Sequence, residues 1–261
     1  MKGLKLITVG LLGLALSACV TTTESRLTQK KSPEKAVENY TALGLGYLNT
    51  GHPHMARDRL VKALNINNDY SPANDAMGLL WQSEGEYDLA EDSFKKAIKD
   101  DKKNIQAYHH LGRLYSQQKE FKKAIKELSF AAEDRFYDNR VGAYNDMALT
   151  YYRMGDTSAA MDSYNNALRV SPYNVDALVN MSTLKFEAQQ YDESQKYFDR
   201  LDRLVQSDQA THTPHSLWLG IRLASIAQNT ERVIHLASSL KQQFPQSQEY
   251  RLYRESLNGA K

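Results

Sequence analysis

The chain has 261 residues, a quarter of them charged, and a formal charge at pH 7 of only +2. Basic and acidic residues nearly balance, so the sequence lacks the strongly basic surface that nucleic-acid binding requires. The single cysteine excludes a disulfide within the chain. Few glycines and prolines and many charges favour a helical protein with a large surface, long enough to bury a core without cross-links.

The first element along the chain is predicted to be a secretory signal that ends at a lipidation site. Lys2 and Lys5 form a basic start, and an apolar stretch covers residues 6–16. Such a stretch is too short to cross a bilayer as a helix, but it fits the apolar region of a signal peptide. Leu16-Ser17-Ala18-Cys19 follows and resembles a bacterial lipobox. Cleavage after residue 18 would leave a mature chain acylated at Cys19.

Acylation at Cys19 would anchor the mature chain firmly, because stable attachment needs more than one acyl chain and a triacylated cysteine supplies them. Removing residues 1–18 takes away two lysines and leaves 31 basic and 31 acidic residues. Val20 stands where inner-membrane lipoproteins usually carry aspartate, so the likeness to sorting signals implies the periplasmic face of the outer membrane. The alternatives are a plain signal peptide and a cysteine that merely lies near an apolar segment.

Residues 19–35 are predicted to form a flexible, lipidated tether. Residues 20–33 show no hydrophobic periodicity and consist largely of Thr, Ser and Lys, with Pro33 at the end. Arg26, Lys30 and Lys31 could touch anionic head groups, although a solvated linker explains the same charges. The tether would let the folded domain, predicted over 36–261, stand away from the membrane.

A pattern with a period of 34 residues begins after the tether. Its four clear copies, each with a small residue and aromatic or apolar residues at matching positions, are Tyr40, Leu43-Gly44, Tyr47, Ala56, Leu60 and Ala63; Asn74, Met77-Gly78, Trp81, Ala90, Phe94 and Ala97; Tyr108, Leu111-Gly112, Tyr115, Ala124, Leu128 and Ala131; and, after two extra residues, Tyr144, Met147-Ala148, Tyr151, Ala160, Tyr164 and Ala167. The pattern resembles the tetratricopeptide (TPR) signature. The small residue and the alanine would meet where two helices of a repeat cross closely.

Two degenerate copies follow, with Lys185 in place of an aromatic residue and Arg232 in place of the second-helix alanine. The predicted fold is therefore all-α, a TPR superhelical solenoid of about six helix–turn–helix repeats closed by a capping helix over Glu249–Leu257. The predicted repeats cover 37–70, 71–104, 105–138, 141–174, 175–208 and 213–246. At the first repeat junction, Ser71-Pro72 predicts a cap at Ser71 with Pro72 in the first helical turn.

No set of residues with catalytic spacing is found, which predicts a protein that is not an enzyme and uses no cofactor. Leu43-Gly44-Leu45-Gly46 lacks the spacing of a phosphate-binding loop and lies within a predicted helix. The histidine pairs have no evident third ligand, so no metal site is predicted. Adjacent His109 and His110 point to different sides of a helix, so one is expected to pack and the other to face solvent.

The groove of the solenoid is the predicted binding site, because the first helix of each TPR lines the concave surface. Leu45, Leu48 and Leu79 would form an apolar strip there, with Thr41 and Asn49 beside it. Exposed apolar patches usually mark a partner site. The alternative is that the segment before residue 37 folds over the strip.

The lipobox, tether and repeats together resemble the type IV pilus biogenesis and stability lipoproteins of the PilF/PilW family. Two C-terminal segments carry the more specific likeness, Ser216–Ala224 and Leu240–Tyr250, and the two-residue insertion near Phe136-Tyr137-Asp138 is also similar. The resemblance implies a pilotin, a lipoprotein that helps an outer-membrane secretin reach its membrane and assemble into a ring for pilus formation and twitching motility. Its partner would be the secretin subunit, with no small-molecule substrate.

Two other functions remain open on sequence grounds. One is an outer-membrane TPR adaptor that docks peptidoglycan enzymes or proteases. The other is a periplasmic enzyme with a TPR domain, which is disfavoured because the repeats leave no room for a catalytic domain. Periodicity alone indicates a binding scaffold, and the choice of pilotin follows from the resemblance.

Overall fold

The computed structural model describes residues 32–258 as a row of thirteen α-helices, and no β-strand occurs in that part of the chain. The helices are α1 Pro33–Asn49, α2 Pro53–Ile66, α3 Ser71–Ser83, α4 Tyr87–Asp100, α5 Ile105–Gln117, α6 Phe121–Glu133, α7 Arg140–Met154, α8 Thr157–Val170, α9 Val175–Glu187, α10 Tyr191–Gln206, α11 Pro214–Ile226, α12 Thr230–Gln243 and α13 Gln248–Asn258. The all-helical fold predicted from the repeat is confirmed. The predicted signal peptide and Cys19 lie outside the described residues.

Consecutive helices pack as six hairpin pairs, α1 with α2 through α11 with α12, and each pair contacts the next. The first helices α1, α3, α5 and α7 also contact one another in series, and α13 packs against α11 and α12. Substantial contacts therefore join neighbouring repeats alone, as in a solenoid, where each repeat buries its apolar face on the next.

Small residues hold the two helices of each repeat close together. Ala56, Ala90 and Ala124 on the second helices are fully buried, and glycines of the first helices face the side chains opposite them. In the degenerate fifth repeat two buried serines occupy the point where its two helices cross. Ser182 Oγ donates to the carbonyl of Ser194 at 2.9 Å, and Ser194 Oγ donates to the carbonyl of Ser182 at 2.7 Å. The hydroxyls are satisfied reciprocally, so serine can replace the small apolar residue here.

The start of α1 differs from the predicted domain boundary, because the helix begins at Pro33 rather than at residue 36. The side chain of Ser32 accepts a hydrogen bond from the backbone N–H of Lys35 at 3.2 Å, and Pro33 stands at the first helical position. Residues 33–35 of the predicted tether are therefore helical.

The cap predicted at Ser71 is wrong, because Ser71 is already the first residue of α3. The buried Ser71 hydroxyl donates to the carbonyl of Ala97 at 2.7 Å and accepts from the Asn104 side chain at 2.8 Å. It therefore ties α3 to α4 and to the residue that caps α5, instead of capping its own helix.

Arg232 in the last repeat shows how a charge is accommodated where the first four repeats carry alanine. Its guanidinium donates to Asp199 at 2.8 Å and to Asp202 at 3.1 Å, and it lies over the ring of Phe198, 5.3 Å from the centroid. The ring of His212 stacks on the same Phe198 and its Nε2 lies 3.3 Å from Asp202. These contacts join α10 to the repeat that follows.

Asp202 makes a pH-dependent contribution to the stability of the contact between α10 and the last repeat. The hydrogen bond from His212 and the charge of Arg232 lower the pKa of Asp202, although burial opposes them. The pKa of Asp202 in the folded state lies below its unfolded value of about 3.9. The stabilisation is therefore complete above about pH 3.9, and it is lost as the pH falls through the folded-state pKa.

We therefore expect Asp202→Asn to lower the melting temperature at pH 7, with a difference from the wild type that shrinks as the pH falls below about 4. Thermal melts followed by circular dichroism at several pH values measure this. Asp208→Asn, at an exposed position in the loop after α10, is the matched control. A difference between wild type and Asp202→Asn that stays constant as the pH falls from about 4 to about 2 would contradict the assignment.

Candidate binding groove

The first helices of successive repeats form the concave side of the solenoid and are linked by side-chain contacts. Gln82 of α3 donates to Gln117 of α5 at 2.9 Å. The hydroxyl of Thr183 on α9 lies 2.9 Å from Nε2 of His215 on α11. The row of first helices is thus a continuous surface that can receive an elongated partner.

The predicted apolar strip lies at the N-terminal end of this surface and is half-buried. Leu45 and Leu48 of α1 pack against the cluster that contains Leu60, Met77 and Leu80. Leu79 of α3 packs against the next cluster, which contains Phe94 and Leu111. Since α1 and α3 are in contact, the three leucines lie on adjacent helices, each with one side in the core.

The other two predicted groove residues differ from each other. Thr41 is buried, and its hydroxyl donates to the carbonyl of Val37 at 2.8 Å, so it offers a partner little surface. Asn49 is exposed at the last position of α1. Helical periodicity alone does not predict that Thr41 is buried while Asn49 is exposed. The burial of Thr41 arises because it lies where α1 meets its neighbouring helices.

The described part of the segment before residue 37 does not fold over the strip. Residues 33–36 continue α1 along its own axis. The rest of that segment lies outside residues 32–258.

A second feature of the groove is a polar cavity of about 270 Å³ that lies across α3, α5 and α7. Its lining, which combines two arginines, two glutamines, an aspartate, a serine and a leucine, consists of Gln82, Arg113, Ser116, Gln117, Asp146, Leu149 and Arg153. Gln82 lies one turn after Leu79 on α3, so the cavity adjoins the apolar strip. The sequence analysis did not predict this cavity.

Beside this cavity His109 is buried and the side chain of His110 is only 11 % exposed, so the prediction that one of the two faces solvent is wrong. His109 is 2 % exposed, with Nε2 2.8 Å from Asp146 Oδ2 and Nδ1 2.8 Å from the Tyr137 hydroxyl. His110 Nδ1 lies 2.9 Å from Asp75 Oδ1, and Asp75 is itself buried. These three partners come from three repeats, so the histidines join the repeats.

The two-residue insertion supplies a partner of His109 that sequence reasoning missed. Because a carboxylate only accepts, Nε2 of His109 donates to Asp146, and the Tyr137 hydroxyl is paired with Nδ1 on the other side of the ring. Burial raises the pKa of Tyr137 to about 12, which keeps its hydroxyl protonated. The insertion near Phe136 was the available signal, since it breaks the 34-residue period between the third and fourth repeats.

Across residues 32–258 no group of three or more His, Cys, Asp or Glu side chains is placed to hold a metal ion.

None of the helices α1 to α13 is both long enough and apolar enough to cross a membrane.

Comparison with known proteins agrees with this geometry. The tetratricopeptide repeat model matches residues 82–141 and 151–213. The type IV pilus assembly protein PilF of Pseudomonas aeruginosa is 28 % identical over 243 residues, which are 93 % of this chain and 94 % of that protein. The chain thus consists of TPR repeats arranged as a solenoid.

Solved structures give the more particular assignment. The structure of P. aeruginosa PilF has a TM-score of 0.77 at 26 % identity and covers 86 % of this chain and 99 % of its own. PilW, described as a widely conserved type IV pilus biogenesis factor, has a TM-score of 0.72 at 18 % identity over 84 % of this chain and 98 % of its own, a likeness of fold. The chain is homologous to PilF and shares with it the fold of a TPR solenoid.

Proposed function

We propose that the protein is a lipid-anchored pilotin that brings subunits of the type IV pilus secretin to the outer membrane and assists their assembly without catalysis. The observation that carries the proposal is homology along 93 % of the chain to a protein described as acting in type IV pilus assembly. The lipobox at Leu16–Cys19 supports attachment to a membrane. Val20 stands where inner-membrane lipoproteins usually carry aspartate, which supports sorting of the protein to the outer membrane.

The apolar strip is the proposed contact with the secretin. A groove built of rigid helices can hold a partner segment that lays apolar side chains on Leu45, Leu48 and Leu79, with Asn49 at the rim. Apolar anchors that become fully buried at the centre of an interface contribute disproportionately to affinity. The strip therefore supplies binding energy, and the lipid anchor determines where the bound secretin subunit is delivered.

We expect Leu45→Glu combined with Leu48→Glu to weaken secretin binding by roughly 2 kcal/mol or more, because charge replaces the apolar contact. Heat-resistant secretin multimers in outer-membrane fractions should then fall, and surface pili with them. Since both leucines also touch the core, thermal melts must show that the double variant remains folded at the growth temperature. The milder Leu48→Gln gives an intermediate test with less loss of packing.

Leu43→Glu is the matched control, because Leu43 lies on the same helix, is 48 % exposed and faces a different side with Asn39, Ala42 and Gly46. It should leave the multimers unchanged. A folded double variant with normal multimers would rule out the strip as the secretin site. A gene deletion with normal multimers would rule out the pilotin function, and the adaptor function would then be the one to test.

A further inference from the structure

The polar cavity next to the apolar strip contains two arginines whose charges are only partly matched. Arg113 comes from α5 and Arg153 from α7, and both side chains are largely exposed at the cavity. The one carboxylate in the lining of the cavity is Asp146, whose Oδ2 lies 3.5 Å from Arg113 Nε. These three ionised groups leave one positive charge uncompensated.

Asp146 is already engaged, which limits how well it can neutralise the arginines. The same Oδ2 atom accepts the hydrogen bond from His109 Nε2 at 2.8 Å, a shorter contact than the one to Arg113. Within residues 32–258 neither Arg113 nor Arg153 donates a hydrogen bond to a protein acceptor. The Nη groups of both guanidiniums are therefore available to a ligand.

The rest of the lining is fixed and suits a small anionic group beside an apolar one. Gln117 Nε2 donates to the Tyr87 hydroxyl at 3.0 Å while its Oε1 accepts from Gln82, so the two amides are held in place. Leu149 supplies an apolar wall. Arginine binds carboxylates through paired N–H groups in a planar fork, which makes a carboxylate the fitting acceptor.

We propose that this cavity binds the carboxylate of an aspartate or glutamate in a partner protein segment, held by Arg113 and Arg153 with an apolar neighbour against Leu149. A single carboxylate neutralises the excess charge of the cavity. A polyanion such as a nucleic acid does not fit, since Asp146 stands inside the cavity and the mature chain has no net basic charge. The inference rests on the proposed function only for the identity of the partner.

The relative placement of cavity and strip predicts the spacing within the segment. Neighbouring helices pack about 8–10 Å apart, and an extended chain rises about 3.3 Å per residue. A segment that rests an apolar side chain on Leu79 of α3 reaches the arginine of α5 after about three residues. The recognised motif is therefore an apolar residue followed or preceded, about three positions away, by an acidic one.

The test is selection of binding peptides from a displayed library of random decapeptides on the wild-type protein and on Arg113→Gln combined with Arg153→Gln. Wild-type selection should enrich Asp and Glu about three positions from an apolar residue, and the double variant should not show this enrichment. A selected peptide, made with blocked ends, should bind the double variant at least tenfold more weakly. The same peptide with Asn or Gln for its acidic residue should bind the wild type with a similar loss.

Arg203→Gln combined with Arg254→Gln is the matched control, since these exposed arginines lie on α10 and α13, away from the first helices that line the cavity. This variant should select and bind like the wild type. No acidic enrichment, enrichment that survives in the groove variant, or a library that yields no binding peptides would each overturn the inference. If acidic preference is absent while Leu45→Glu with Leu48→Glu still abolishes secretin multimers, this inference fails and the proposed function stands.

Discussion

Gly112→Leu is expected to destabilise the protein by about 1–3 kcal/mol through overpacking of the third repeat. A Cβ atom at Gly112 would lie 2.7 Å from Cγ of Leu128 and 3.0 Å from the backbone nitrogen of the same residue. The side chain of Leu128 could adopt another rotamer, but its backbone belongs to α6 and cannot move alone. The two helices must therefore separate, which also disturbs the fully buried Ala124 beside them.

Gly46→Ala is the control for this prediction, because a Cβ at Gly46 of α1 meets no atom within 4 Å. An alanine there should be neutral or stabilise by up to about 1 kcal/mol, the usual difference between the two residues inside a helix. Gly78→Leu repeats the test in the second repeat, where the added Cβ would meet the buried ring of Phe94 at 2.5 Å. Thermal and urea melts measure both effects. A Gly112→Leu protein that melts like the wild type would contradict the close crossing.

The fold could be predicted from the sequence because the solenoid is built from local contacts at a fixed spacing. Small residues recur at the helix crossings, such as Gly78 with Ala90, and each recurrence constrains the same helix pair. A departure from the pattern was harder to interpret. Arg232 fits because Asp199 and Asp202 lie on the preceding helix, a pairing that no period of 34 residues would indicate.

The groove could be predicted only in part, because contacts between repeats decide which of its residues are exposed. The positions of Leu45 and Leu79 followed from helical spacing, but the burial of Thr41 depends on the neighbouring helices. His109 is bound by Asp146, 37 residues away, across a junction that the two-residue insertion shifts out of register. The shared cavity of Arg113 and Arg153 likewise needs the packed arrangement of α5 and α7.

Cys19→Ala is expected to abolish acylation completely, because no other thiol exists in the chain. Without the thioether the proposed anchor is lost, and processing specific to lipoproteins should stop, which leaves a larger precursor. Metabolic labelling with a labelled fatty acid, followed by gel electrophoresis, measures both results. Thr21→Ala, two residues further on, should label and mature like the wild type. Equal labelling of the wild type and Cys19→Ala would contradict the lipidation site.

Val20→Asp separates the anchor from its destination, because the side chain after the cysteine is the proposed sorting signal and the acylated thiol is unchanged. This variant should take up fatty acid fully yet accumulate in the inner membrane, and heat-resistant secretin multimers should fall in outer-membrane fractions. Since the groove is intact in Val20→Asp, a loss of multimers would show that the location of the pilotin, and not binding alone, determines assembly. Normal multimers in the outer membrane, with the variant held at the inner membrane, would contradict delivery by the lipid anchor.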